Sequence, residues 1–155
     1  MPLFVVATPI GNLDEASPRM QQVLVSATLV LCEDTRRTRA LFAALGLDAP
    51  KLVSCHAHNE SERIDDVVRR LGQGETVALV SDAGMPGISD PGGYIVAAAH
   101  EHRMPVHVVA GPSSVVAAVA VSGFSGTPFH FLGFPPRKSG AIRKLLTEAS
   151  TLSGV

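Results

Sequence analysis

Residues 77 to 93 read VALVSDAGMPGISDPGG, and the way this stretch breaks decides the fold. Val77 to Val80 form an unbroken apolar run, the pattern of a short strand covered on both faces in a parallel sheet. The run stops in a segment holding four glycines, two prolines and two aspartates. Ser-Asp-x-Gly occurs twice there, at Ser81 to Gly84 and at Ser89 to Gly92. Gly84 and Gly87 allow backbone shapes that other residues resist, and glycine lets main chain approach a ligand closely. Asp82, just past the strand, can accept hydrogen bonds from an amine or from ribose hydroxyls. Asp90, before Pro91-Gly92, reads as a turn that starts a helix.

Similar runs lie on either side. LFVVA (3–7), TLVLC (28–32), KLVSC (51–55) and PVHVVA (105–110) complete a set of five strands. Helical patterns alternate with them. Ser17 caps a helix over 18–26 with Pro18 in its first position. Thr35 caps a helix from Arg36 to Leu45 that Gly46 ends. Asn59 or Ser61 opens one through Leu71, with Arg63, Asp66, Arg69 and Arg70 on its polar face. A fourth helix follows Pro91-Gly92, and a fifth runs from Ser113 to about Val121. This alternation predicts an α/β fold: an open, five-stranded, mostly parallel sheet with helices on both faces and right-handed crossovers. Ligands in such sheets bind outside the carboxyl ends of the strands. We place this domain at residues 1–122, a Gly/Ser/Pro-rich linker at 123–128, and the beginning of a second α/β domain at 129–155. That beginning holds a strand FHFLGF (129–134) and a helix from near Ala141. A chain ending at TLSGV before the second unit closes reads as a truncated product.

With 155 residues, 46% apolar and 17% charged, the chain is globular in composition. A net charge of −1 argues against a surface that grips nucleic acid all round. Basic residues do cluster, at Arg36-Arg37-Thr38-Arg39 and through Arg137-Lys138 and Arg143-Lys144; such runs are also the usual make-up of a solvated face. Cys32 and Cys55 form no disulfide framework, which points to a reducing compartment. Neither a signal-peptide pattern nor an apolar stretch near ~20 residues is present, so the reading is a cytoplasmic protein without a membrane partner.

The loops after the strands carry the polar chemistry. ATPIGNLDEASP (7–18) lacks both G-x-G-x-x-G and the Walker pattern, and no lysine waits there for a phosphate. In CEDTRRTR (32–39), Glu33 and Asp34 end a strand and the arginines occupy the first turn of the next helix. Cations there oppose the helix dipole, so Arg36 or Arg39 is a candidate phosphate contact and either carboxylate a candidate proton acceptor. A local carboxylate–arginine pair is the structural alternative. CHAHNES (55–61) could be drawn as a metal site, but zinc ligands come as spaced pairs and no second pair exists, so no metal is expected. His58, Asn59 and Glu60 line a cleft or cap a helix. In AGPSS (110–114), Ser113 and Ser114 cap a helix, face a ligand, or both.

VATPIGNLDE, EDTRRTRALF, HAHNE, LVSDAGMPGISDPG, GPSS and FLGFPPRK occur in this order. The ordered set resembles the rRNA small subunit methyltransferase I family of the tetrapyrrole methylase superfamily, across essentially the whole chain. That resemblance implies S-adenosylmethionine as cofactor, a homodimer, and the 30S particle as partner. It also implies methyl transfer to the ribose 2′-oxygen of a cytidine in the decoding region of small-subunit rRNA. Carried onto this sequence, it puts Pro9 and Ile10 beside the cofactor, and Asp82, Gly84 and Met85 along its ribose or amino-acid end. Ile88 lies close by, and Ser113 and Ser114 contact the cofactor from the fifth loop. Met85 stands where the family often has threonine, Gly93 where it has tyrosine, and Ala110 where it has proline.

Glu33 and Asp34 are then the catalytic candidates, with Arg36 as phosphate or transition-state partner. Arg39, His58 and Asn59 are the candidates for holding the RNA. Two other readings stay open: a methyltransferase of the same superfamily acting on a tetrapyrrole, and an inert cofactor-binding fragment. The arginine cluster and a first loop reading TPIGN weigh against the tetrapyrrole. We expect the 155-residue chain by itself to be inactive.

Overall fold

The computed structural model describes residues 1–124 and 128–154. Five strands form one sheet: β1 (Leu3–Val6), β2 (Leu29–Cys32), β3 (Lys51–Ser54), β4 (Val77–Leu79) and β5 (Val106–Val109). Their order is β3-β2-β4-β1-β5, and every pairing is parallel. Alternation along each strand splits the core in two, because successive side chains point to opposite faces. Val30, Cys32, Ala78 and Val80 pack with Met20, Val23 and Leu24 of α1 (Pro18–Ser26) and Phe42 of α2 (Thr35–Ala44). Leu29, Leu31, Val77 and Leu79 pack with Val67 and Leu71 of α3 (Glu60–Gly72) and Ile95 and Ala99 of α4 (Gly93–Glu101). Both faces of β2 and β4 are therefore covered, which is why their sequences are apolar without a break.

The edges of the sheet are different. In β5, His107 and Val108 are exposed, so this run is not covered on both faces as its composition suggested. Apolar content cannot tell an edge strand from a central one.

The chain divides into two compact units, Met1–Ser113 and Ser114–Val155. Helices α5 (Ser114–Val121) and α6 (Ser139–Ala149) belong to the second. Part of the expected linker, 125–127, and the last residue of the expected second domain lie outside the described residues. FHFLGF is not a strand. Aromatic and apolar residues make a strand only where a neighbour supplies ladder partners, and among the described residues none pairs with it. The helix beyond it starts at Ser139, slightly before Ala141.

Capping follows local chemistry. Ser17 Oγ accepts from Met20 N at 3.1 Å, with Pro18 in the first turn. For α2 the cap is Asp34, not Thr35: its Oδ1 accepts from Arg36 N at 2.8 Å. Both are cap-forming residue types, and the carboxylate takes the role one position earlier. Asn59 sits at the start of α3 but makes no cap bond there. Its Oδ1 accepts from His56 N at 2.8 Å, and its amide donates to Ser54 O at 3.3 Å.

Candidate functional site

Helices α1 and α2 cover one face and α3 and α4 the other, so the chain changes face between β4 and each of its neighbours. A parallel sheet opens its crevice at such a switch point, outside the strands' carboxyl ends. The loop after β4, residues 80–92, stands at the middle of it, between the loops after β1 and β2.

On the β1 side, main chain meets main chain. Thr8 N donates to Gly84 O at 2.9 Å, and Gly84 N returns to Thr8 O at 3.1 Å. A Cβ on Gly84 would lie 3.5 Å from Ile10 Cγ2 and 3.9 Å from Pro112 O. One on Gly111 would fall 2.9 Å from Ala7 Cβ, too close to hold, so only glycine lets the fifth loop approach the first. Pro9, Ile10, Gly84 and the Gly111-Pro112-Ser113 turn are thereby gathered into one cluster of loops. Pro9 is buried, while Ile10 and Ile88 expose 37% and 49% of their surface. Met85 is half-buried in the same loop as Gly84. Ser114 begins the second unit.

On the β2 side, side chains do the joining. Asp82 Oδ1 accepts from Asp34 N at 3.2 Å, and its Oδ2 lies 3.4 Å from Arg37 Nη1. Asp34 binds Arg36 through both oxygens, at 3.1 Å from Nε and 2.7 Å from Nη2. Those bonds hold the Asp34 carboxyl far below the usual carboxylate range. Glu33, beside it in the chain, goes the other way: partial burial, then the charges of Asp82 and Asp90, push its carboxyl up. Arg39 is exposed on α2 and makes no ion pair among the described residues. The arginine cluster is thus partly a local pairing, as its structural alternative had it, with Arg36 still 88% exposed.

Beyond Glu33 lies an open cavity of about 550 Å³. It is lined by Glu33, by His56 and His58 after β3, by Glu60 at the start of α3, and by Asp90 and Tyr94 around the start of α4. Glu60 is almost fully buried, and its Oε1 accepts from Tyr94 N at 2.7 Å and Ile95 N at 3.1 Å. A carboxylate from one helix thus caps the free N–H groups of another. Sequence reasoning placed Glu33, Asp34, Arg36, Asp82 and His58 around this crevice. It also named Glu60 as a cleft-lining or capping group, and missed Arg37, Asp90 and Tyr94 as site groups, because their roles arise from contacts across the sheet. Asn59 orders the loop after β3 through its own hydrogen bonds. Both cysteines are buried free thiols, and burial pushes the Cys55 thiol up to about 11. Among the described residues no three metal-ligating side chains are placed to hold an ion, and no helix is long and apolar enough to cross a membrane.

A parallel α/β sheet with close-approach loops on one side of a central strand and a carboxylate-lined cavity on the other is the arrangement in which α/β domains take ligands. The family model of tetrapyrrole (corrin/porphyrin) methylases matches residues 2–152, and the chain belongs to that family. Among solved structures, uroporphyrin III C-methyltransferase from Thermus thermophilus has a TM-score of 0.58 at 22% identity, covering 86% of this chain and 55% of that one. This likeness is one of fold. Curated relatives named ribosomal RNA small subunit methyltransferase I are more similar in sequence. The Xylella fastidiosa protein is 49% identical over 94% of this chain and 53% of its own length. The Pseudomonas aeruginosa protein is 46% identical over 93% and 51%. The Leptospira biflexa protein is 42% identical over 99% and 63%. The chain spans about half to two thirds of the length of these relatives.

Proposed function

We propose that the chain is the N-terminal part of an S-adenosylmethionine-dependent methyltransferase that modifies a cytidine ribose 2′-oxygen in the decoding region of small-subunit rRNA. The observation that carries this reading is the pair of settings flanking β4: glycine-mediated loop contact on the β1 side, and the Glu33 cavity with the Arg36, Arg37 and Arg39 surface on the β2 side. The names of the sequence relatives support RNA as the substrate over a tetrapyrrole.

The residues present fit the cofactor. Ile10 and Ile88 offer exposed apolar surface for an adenine, and Thr8, Gly84 and Pro112 offer nearby main chain. Asp82 offers carboxylate oxygens for ribose hydroxyls or the amino group, with Met85 and Ser113 in the adjoining turns. When bound, S-adenosylmethionine would supply a methyl group on a sulfonium, whose neutral thioether is a good leaving group. The protein's work is then alignment and proton removal. Glu33 is the general base in this reading, since its raised pKa brings it nearer to neutral pH while Asp34 is committed to Arg36. Asp34 holds Arg36 in place as a phosphate contact, with Arg39 and His58 further along the RNA path. Dimerisation and a cytoplasmic location belong to the same reading.

The test uses a protein of the relatives' full length carrying this chain, assayed for methylation of 30S particles. Glu33→Ala and Asp82→Ala are each expected to lower the rate at least tenfold; wild-type rates in both would overturn the assignment of the site.

A further inference from the structure

The cavity on the β2 side contains groups that methyl transfer itself does not require. Tyr94 is the only tyrosine of the chain, and 68% of its surface is exposed. Its main chain is fixed, since Tyr94 N is held by buried Glu60 at 2.7 Å. The cavity therefore has an aromatic ring on an anchored helix start, free on its outer surface. The His56 and His58 rings, edge to face with centroids 6.0 Å apart, belong to the same cavity. Of its three acidic groups, Glu60 is taken up by the N–H groups of α4, and no cation pairs with Asp90 or Glu33 among the described residues. An ionised carboxylate only accepts hydrogen bonds, so these groups favour a ligand edge carrying N–H donors and repel one carrying carbonyl oxygen. Single-stranded RNA bases are recognised in this way, by stacking on aromatic rings and by hydrogen bonds to their edges.

We propose that this cavity holds the base of the nucleotide to be methylated, with Tyr94 as its stacking face and Asp90 as the acceptor for an exocyclic amine. The proposal rests on the RNA-methylation reading above and adds the means of base selection. The ribose of the same nucleotide then lies toward Glu33, and a cytosine amine is accepted where the uracil O4 is refused. Burial, offset in part by the Ser81 hydroxyl and reinforced by the Asp82 charge, disfavours the Asp90 carboxylate, so an arriving N–H donor relieves a cost already present.

Because the chain has one tyrosine and no tryptophan, its tyrosine emission reports on Tyr94 alone. The probes are oligouridylates of about six nucleotides, with and without one central cytidine. Affinity is read by anisotropy of an end-labelled strand, and occupancy of the cavity by tyrosine emission. We expect the cytidine strand to bind about tenfold more tightly, the discrimination given by one hydrogen-bonded base edge, and to quench Tyr94 saturably. Asp90→Asn, whose amide both donates and accepts, should bring the two affinities together, chiefly by tightening the all-uridine strand. Equal affinities in the wild-type chain, no binding of either strand, or cytidine binding without a change in Tyr94 emission would each overturn the proposal, whatever the variant does. The methylation reading fails separately: a preserved cytidine preference in a protein that transfers no methyl group would sink that reading and leave the cavity as a base site.

Discussion

Glu33 and Asp34 are adjacent carboxylates in opposite electrostatic settings, and their difference can be measured. Burial and the charges of Asp82 and Asp90 raise Glu33, whereas hydrogen bonds from Arg36 lower Asp34. A base must be ionised to act, so activity should rise with pH through the elevated Glu33 pKa, above its ordinary 4.5. Glu33→Gln should remove that acid limb from the pH–rate profile and cost roughly 10²–10⁴-fold in kcat. Stability should respond in the opposite sense. The folded state holds the Glu33 proton more tightly than the unfolded chain, so its ionisation destabilises the fold as pH rises through the same window. Glu33→Gln should therefore raise the thermal midpoint at neutral pH, and calorimetry checks it. A loss of both rate and stability would mean that Glu33 is a structural residue. At Asp66, where hydrogen bonds from Arg70 lower the pKa, the stabilising contribution is present above 3.8 and is lost as pH falls.

At the scale of elements, the junction of α3 and α4 carries the cavity. Glu60 and Tyr94 are 34 residues apart, and the bond between them fixes where α4 begins. Glu60→Ala should leave the N–H groups of Tyr94 and Ile95 without that acceptor and cost about 1–3 kcal/mol, read from denaturant unfolding. Gly92 precedes them with φ of 128°, and a Cβ there would lie 2.6 Å from Leu79 Cδ2. Gly92→Ala therefore combines backbone strain with overpacking of the core and should cost about 2–4 kcal/mol. The presence of α1 to α4 and of the central strands was legible in sequence because caps and apolar runs are local signals. The helix that Glu60 caps was not, since a carboxylate at the start of one helix says nothing of a second helix 34 residues on. FHFLGF misled for a related reason: its residues suit a strand, but a strand also needs a neighbour to pair with.

For the whole molecule, the loops after the strands could be located from the α/β alternation, because a parallel sheet puts its ligand at the carboxyl ends. The division of labour across β4 could not. It depends on strand order, and the run VALVS does not say that β4 inserts between β2 and β1. That insertion brings Asp82 to Asp34 and Arg37 on one side while Gly84 meets Thr8 on the other. The central claim is that these two sides hold a methyl donor and an RNA ribose. Its most direct test is transfer of labelled methyl from S-adenosylmethionine to 30S particles, using a protein of the relatives' full length that carries this chain, followed by nuclease digestion and nucleoside mapping. Label is expected in 2′-O-methylcytidine from the small-subunit rRNA; label on a base, or nowhere in the RNA, would overturn that assignment.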